Sequence, residues 1–209
     1  MKALVLSSGG LDSTVCLALA AEKYGADEVI ALSVYYGQKH IREIEAAALV
    51  AEYYHVKRMS VDLSEVFKGC SSSLIEGSGS GIPHGSYADQ LEETDGSPVD
   101  TYVPYRNGLF LSAAASVALT YGCSEIYYGA HADDSAGNAY PDTSKEFNKA
   151  ISDSIYIGSG NALHLIAPFI DSPKAEVVKE GIRLGVPFEL TWSCYEGADK
   201  ACEIGRAHV

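Results

Sequence analysis

Short apolar runs alternate with amphipathic stretches along most of the chain. Ala3–Ser7 is apolar up to a glycine pair, and Leu11, Val15 and Leu19 then recur at every fourth position. That change of period predicts a buried strand followed by a helix over about Asp12–Tyr24. Glu28–Tyr36, EVIALSVYY, is almost continuously apolar, as a strand covered on both faces should be. A second helix is predicted over about Gln38–Tyr54, with Ile41, Ile44, Ala48 and Ala51 on one face and Arg42 and Glu43 pointing away. Val56–Leu63 reads as a third strand. Further along come a helix over about Asn107–Tyr121, a strand at Glu125–Ala130, a helix near Lys145–Ile157, a strand within Ala162–Phe169 and a helix at Lys174–Leu184. This alternation implies an α/β fold, a doubly wound and mostly parallel sheet.

Two stretches stand outside the pattern. Residues 69–105 include GSGSGIPHGS and show no periodicity, which is long for a loop in a compact domain and points to a lid-like insertion. The tail from Phe188 onward is irregular and carries Cys194 and Cys202. One catalytic domain over residues 1–187 and a tail over 188–209 are expected.

Charge narrows the function. Lys plus Arg is 15 against 28 Asp plus Glu, a formal net charge of −13, and no basic cluster is visible. A nucleic-acid backbone is gripped by basic surface, so small-molecule substrates are expected in place of RNA or DNA. No apolar run approaches the ~18 residues of a membrane span, and the first strand is too short for a secretory signal. Five cysteines, odd in number and thinly spread, suit a reducing cytoplasm better than a disulfide framework.

The strongest local chemistry is LSSGGLDSTVC, residues 6–16. A glycine pair between a strand and a helix lets backbone N–H groups approach an anion at the helix's positive end. Ser8 and Ser13 add hydroxyls, and Asp12 either caps the helix or holds a metal. The string lacks the G-x-x-x-x-G-K-[ST] of a Walker loop. A glycine-rich turn capped by Asp12 or Ser13 explains the same residues without a ligand.

The string SGGLDS, Ser8–Ser13, resembles the pyrophosphate-binding loop of the PP-loop ATP pyrophosphatases. The resemblance implies a Rossmann-like fold of the adenine-nucleotide hydrolase type. It also implies an ATP segment over Ser7, Ser8, Gly9, Gly10, Leu11, Asp12, Ser13, Thr14, Val15, Cys16 and Leu17. In APFIDSPKAEVVKEGIRLGVP, Ala167–Pro187, which resembles a segment of the same group, Lys174 matches a lysine that reaches phosphate there. YYGQKH (35–40), VPYRNGLFLS (103–112), YYGAHADDSAGNAYPD (127–142) and GVPFELTWSCYEG (185–197) together resemble the 7-cyano-7-deazaguanine synthase family, in the family's order.

That likeness implies conversion of 7-carboxy-7-deazaguanine and ammonia to the nitrile at the expense of ATP, as in queuosine biosynthesis. Asp12, Lys174 and Arg106 are the catalytic candidates. Substrate recognition is expected from Tyr36, Gln38, Arg106, Asn107, His131, Asp133, Tyr140 and Asp142. Clustered carboxylates after a strand suit Mg²⁺ or the purine-like ring, and equally suit turns and caps. The family's zinc knot places a cysteine in SCY and then C-x-x-C-x-x-C. Here the frame from Cys202 reads CEIGRAH, leaving Cys194, Cys202 and His208 as candidate Zn²⁺ ligands, with Gly205 where a cysteine would stand. The expected partners are these small molecules, with no nucleic acid and no membrane, and a homodimer is admitted. Another PP-loop amidotransferase or tRNA sulfur-inserting enzyme, or an ATP-binding module without turnover, remain as alternatives.

Overall fold

The computed structural model describes residues 1–39, 41–78, 99–134 and 139–194. A parallel sheet is built from β1 (Ala3–Leu6), β2 (Val29–Tyr35), β3 (Lys57–Asp62), β4 (Glu125–Tyr127) and β5 (His164–Ile166). The strand order is β3-β2-β1-β4-β5. Among the described residues, α-helices connect and cover it: α1 (Leu11–Tyr24), α2 (Arg42–Tyr53), α3 (Arg106–Thr120), α4 (Lys145–Gly158) and α5 (Lys174–Leu184). The strands and helices expected from the apolar pattern are all present, with the last two strands shorter than their apolar runs.

Strand alternation sorts the core into two layers. Ala3, Val5, Val29, Ala31 and Tyr127 pack against α1, α2 and α5 through Val15, Val50 and Val177. Leu4, Ile30, Leu32 and Ile126 pack against α3 and α4 through Leu111, Ala114, Ala118, Ile151 and Ile155. Both faces of β1 and β2 are therefore dry, which is why their sequences lack polar alternation.

Helix α2 departs from expectation in two ways. It begins at Arg42, because Gln38 is used elsewhere: its backbone pairs with Ile75, and its Oε1 accepts the N–H of Tyr36 at 2.9 Å. Its buried face is Ala46, Ala47, Val50 and Ala51, whereas Ile41 is 57% exposed. The rotation follows from close packing against the glycine turn after β1. A Cβ on Gly9 would lie 2.2 Å from the Glu43 carbonyl oxygen and 2.5 Å from the Ala47 nitrogen. Only alanines on one partner and glycine on the other permit that approach.

Of the irregular stretch, residues 79–98 lie outside the described residues. Its two ends are packed: Leu74, Ile75 and Val103 join Tyr36 and Phe67 in a small apolar cluster, and Val99 packs with Ala139 and Tyr140.

Candidate active site

Strand β1 lies between β2 and β4, so the chain leaves it in opposite directions on its two sides. In an open α/β sheet that reversal opens a crevice beyond the carboxyl ends of the strands. A cavity of about 240 Å³ occupies the position, lined by Ser7 and Ser8 after β1, Ser33 and Val34 of β2, and Tyr128 and Gly129 after β4. Among the described residues, the hydroxyls of Ser7, Ser33 and Tyr128 are buried without a hydrogen-bond partner. Three such groups around one cavity are what a polar ligand would satisfy.

The glycine turn forms the cavity's edge. Gly9 has φ +88, a left-handed backbone that glycine adopts without penalty. Gly10 then precedes α1, and its carbonyl accepts from Thr14 N at 3.1 Å, Ser13 Oγ at 3.0 Å and Thr14 Oγ1 at 2.9 Å. The N–H groups that α1 leaves over at its start are met by hydroxyls. Gly10 N donates to Ser8 Oγ at 3.2 Å and Leu11 N to Ser193 Oγ at 3.2 Å. Trp192 N donates to Gly9 O at 2.9 Å, so the segment after α5 straps the turn. Hydroxyls that can rotate away leave these donors available to phosphate oxygens. Within Ser7–Leu17, the cavity is lined by Ser7, Ser8, Asp12 and Ser13, while Leu11, Thr14, Val15, Cys16 and Leu17 are buried in α1. Burial pushes the Cys16 thiol far up, as a core residue.

Charge gathers beside the turn. Lys174 Nζ lies 2.6 Å from both carboxylate oxygens of Asp12. Asp133 does not line the cavity; its Oδ2 accepts Lys174 N at 2.9 Å, capping α5. His131 is buried, with Nε2 3.4 Å from Asp134 Oδ1 and 3.8 Å from Asp12 Oδ1. Desolvation holds the Asp134 carboxyl above the usual range, with His131 opposing. Asp142 is also buried, and its Oδ2 accepts Asn107 N at 2.8 Å at the start of α3.

The opposite wall is built from Tyr36, Gln38, Glu43, Arg106, Asn107 and Tyr140. Tyr105 has φ +54, rare for a residue with a side chain, and folds its ring across α3. A Cβ on Gly108 would sit 2.4 Å from that ring. The turn delivers Arg106 into the cavity, where its Nη1 donates to Tyr36 Oη at 3.2 Å and its guanidinium carbon lies 5.3 Å from the Tyr36 ring centre. Burial pushes the Tyr36 hydroxyl up to about 12. Tyr140 Oη is 2.6 Å from Thr101 Oγ1.

Glu43 was expected to point away and instead lines this wall. The face expected from helical periodicity holds at Ala51, which is buried, and at Ile44, which lines the cavity, while Ile41 is exposed and Glu43 turns inward where α2 packs on Gly9. Desolvation pushes the Glu43 carboxyl up to about 7, with the Arg106 charge opposing. The available signal was positional: a carboxylate in the first turn of the helix that follows β2, the neighbour of the central strand β1.

Of the zinc candidates, Cys194 is buried, with its carbonyl accepting Trp192 Nε1 at 2.7 Å. Cys202 and His208 lie outside the described residues. Among the described residues no group of three or more His, Cys, Asp or Glu is placed to hold a metal ion.

Comparison with known proteins bears on this cavity. Residues 2–207 match the family described as "Queuosine biosynthesis protein QueC". The 7-cyano-7-deazaguanine synthase of Archaeoglobus fulgidus is 40% identical over 203 residues, covering 97% of this chain and 80% of the relative. That of Oceanobacillus iheyensis is 41% identical over 203 residues, covering 96% and 87%. Among solved structures, NMN synthetase from Francisella tularensis aligns with TM-score 0.54 at 18% identity over 96% of this chain and 66% of its own. The U34-tRNA thiolase NcsA from Methanococcus maripaludis aligns with TM-score 0.52 at 18% identity over 90% and 57%. At that identity these two establish the α/β fold alone. The near-complete family match, with relatives at about 40% identity over nearly the whole chain, places the chain in the QueC family of 7-cyano-7-deazaguanine synthases.

Proposed function

We propose that the protein converts 7-carboxy-7-deazaguanine and ammonia to 7-cyano-7-deazaguanine, with ATP as the activating substrate. Queuosine-precursor synthesis is the setting that the family implies. The observation that carries this reading is one cavity shared by the glycine turn and the Arg106 wall. A polyphosphate and an anionic heterocycle can meet there.

The chemistry asks for both. Oxide is too poor a leaving group to be displaced from a carboxylate. Transfer of AMP to a carboxylate oxygen makes that oxygen part of a good leaving group, and ammonia then forms the amide. A second adenylation, on the amide oxygen, removes the remaining oxygen and leaves the nitrile. The glycine turn and Ser8 hold the departing pyrophosphate. Lys174, with its partner Asp12, supplies the cation that the turn itself lacks. Arg106 is suited to the substrate carboxylate, and a guanidinium gives two parallel hydrogen bonds to such a group. Tyr36, Gln38, Asn107 and Tyr140 supply flat and amide-like surface for the deazapurine ring.

Magnesium accompanying the nucleotide would be held by Asp12 and Asp134, hard oxygen donors facing the cavity, and would neutralise phosphate charge. A structural zinc on Cys194, Cys202 and His208 belongs to the same reading and takes no part in the reaction. Mass spectrometry of 7-carboxy-7-deazaguanine incubated with the protein, ATP and ammonium tests the function. The expected product has lost both carboxyl oxygens and gained one nitrogen, and unchanged substrate would refute the reading.

A further inference from the structure

The cavity is lined by three carboxylates, of Asp12, Glu43 and Asp134. Asp12 is held by Lys174, and Asp134 accepts from His131 N at 3.2 Å while facing its ring. Glu43 differs: among the described residues no side chain hydrogen-bonds to its carboxylate, and Arg106 acts on it only through charge. It is also held in place. Gly9 packs directly on the Glu43 backbone carbonyl, so the glycine turn fixes the backbone from which this side chain enters the cavity. Arg42, its neighbour, lies 5.5 Å over the Trp192 ring and anchors the same helical turn from outside.

We propose that Glu43 is the proton acceptor for the attacking nitrogen, in amide formation and again in nitrile formation. This rests on the function proposed above. In the first stage the ammonia lone pair bonds to the acyl carbon, and one N–H proton passes to Glu43. The bond from carbon to the adenylate oxygen then breaks, and AMP leaves with the electron pair. Glu43 returns its proton to solvent before the second stage. There the amide oxygen bonds to the α-phosphorus of a second ATP and pyrophosphate leaves. The nitrogen loses one proton as this imidate forms, and a second as AMP departs and C≡N is completed. Both go by way of Glu43.

A base is most effective when its affinity for protons matches the working pH. Desolvation brings Glu43 there, to about 7. The groups facing it are Asp12 and Asp134 from across the cavity, Arg106 of α3, and the hydroxyls of Tyr36, Tyr128 and Tyr140. Desolvation raises its proton affinity and the Arg106 guanidinium lowers it.

Substrate-dependent exchange of labelled pyrophosphate into ATP reports adenylation of the carboxylate, before ammonia is needed. Nitrile yield reports the later steps. Glu43→Gln should retain the exchange within about 3-fold and lose nitrile formation by about 100-fold or more, the usual contribution of a positioned base. Formate should restore part of the nitrile yield in Glu43→Ala. The acid limb of kcat/KM in the parent, near pH 7, should vanish in Glu43→Gln. Equal loss of exchange and nitrile would make Glu43 a nucleotide-binding or structural residue and overturn the proposal. So would a Glu43→Gln variant with the parent's nitrile rate and pH profile. A parent enzyme with no exchange and no nitrile would instead refute the proposed function, and this inference with it.

Discussion

Lys174 and Asp12, 162 residues apart in the chain, are joined by a bidentate ion pair with Nζ 2.6 Å from each carboxylate oxygen. The pair links the first turn of α5 to the first turn of α1 at the cavity's edge. A lysine at a helix N-terminus is disfavoured by the helix dipole, and the Asp12 carboxylate offsets that. The glycine turn thereby gains a cation from a distant part of the sequence.

Lys174→Met should weaken ATP binding about 10- to 100-fold, the loss of one charge-assisted contact worth ~1.5–3 kcal/mol. Titration calorimetry with ATP checks it. Unchanged affinity would remove Lys174 from the nucleotide site.

The glycine pair should be unequal. Gly9→Ala meets backbone at 2.2 Å and holds φ +88, so a loss of roughly 2–4 kcal/mol is expected from overpacking and left-handed strain. Gly10 has φ −77, and its nearest neighbour to a new Cβ is Ser193 Oγ at 3.4 Å. Gly10→Ala should therefore cost under ~1 kcal/mol. Urea denaturation of both variants separates them, and equal losses would refute the proposed packing role of Gly9.

Glu43 should leave a trace in stability without any substrate. Its proton affinity is raised from 4.5 to about 7 in the folded chain, so its stabilising contribution is complete below about 4.5 and lost as pH rises through about 7. Glu43→Gln removes that cost. The variant should be more stable than the parent at pH 8, by about 1–3 kcal/mol, since the carboxyl is only partly buried. The advantage should shrink towards pH 4.5. Denaturation midpoints measured across this range would contradict the prediction if the difference were independent of pH.

The tail carries its own test. On the zinc reading proposed for Cys194, Cys202 and His208, Gly205 is the position of the absent fourth ligand, so Gly205→Cys should raise zinc content after dialysis and thermal stability together. A variant that gains neither shows that the tail is not a knot lacking one ligand.

Most of the fold was legible because both faces of β1 and β2 are covered and leave unbroken apolar runs. The glycine turn, Lys174 and Arg106 were legible as motifs. Other features were not. Asp133 and Asp142 carry the acidic character of a metal or substrate site, yet each caps a helix, and only the three-dimensional position of α5 and α3 distinguishes the two. Glu43 was hidden because the rotation of α2 depends on a backbone contact with Gly9, which helical periodicity cannot report. The hydroxyls of Ser33 and Tyr128 were hidden for a similar reason: within apolar strand runs they read as packing, and their lack of partners appears only around the cavity.

The most direct test of nitrile synthesis by double adenylation is to follow the substrate's own oxygens. With both carboxyl oxygens of 7-carboxy-7-deazaguanine labelled with oxygen-18, double adenylation should yield unlabelled pyrophosphate, a nitrile, and AMP carrying one label in each of two molecules per nitrile formed. Label recovered in inorganic phosphate, with ADP as the nucleotide product, would contradict it.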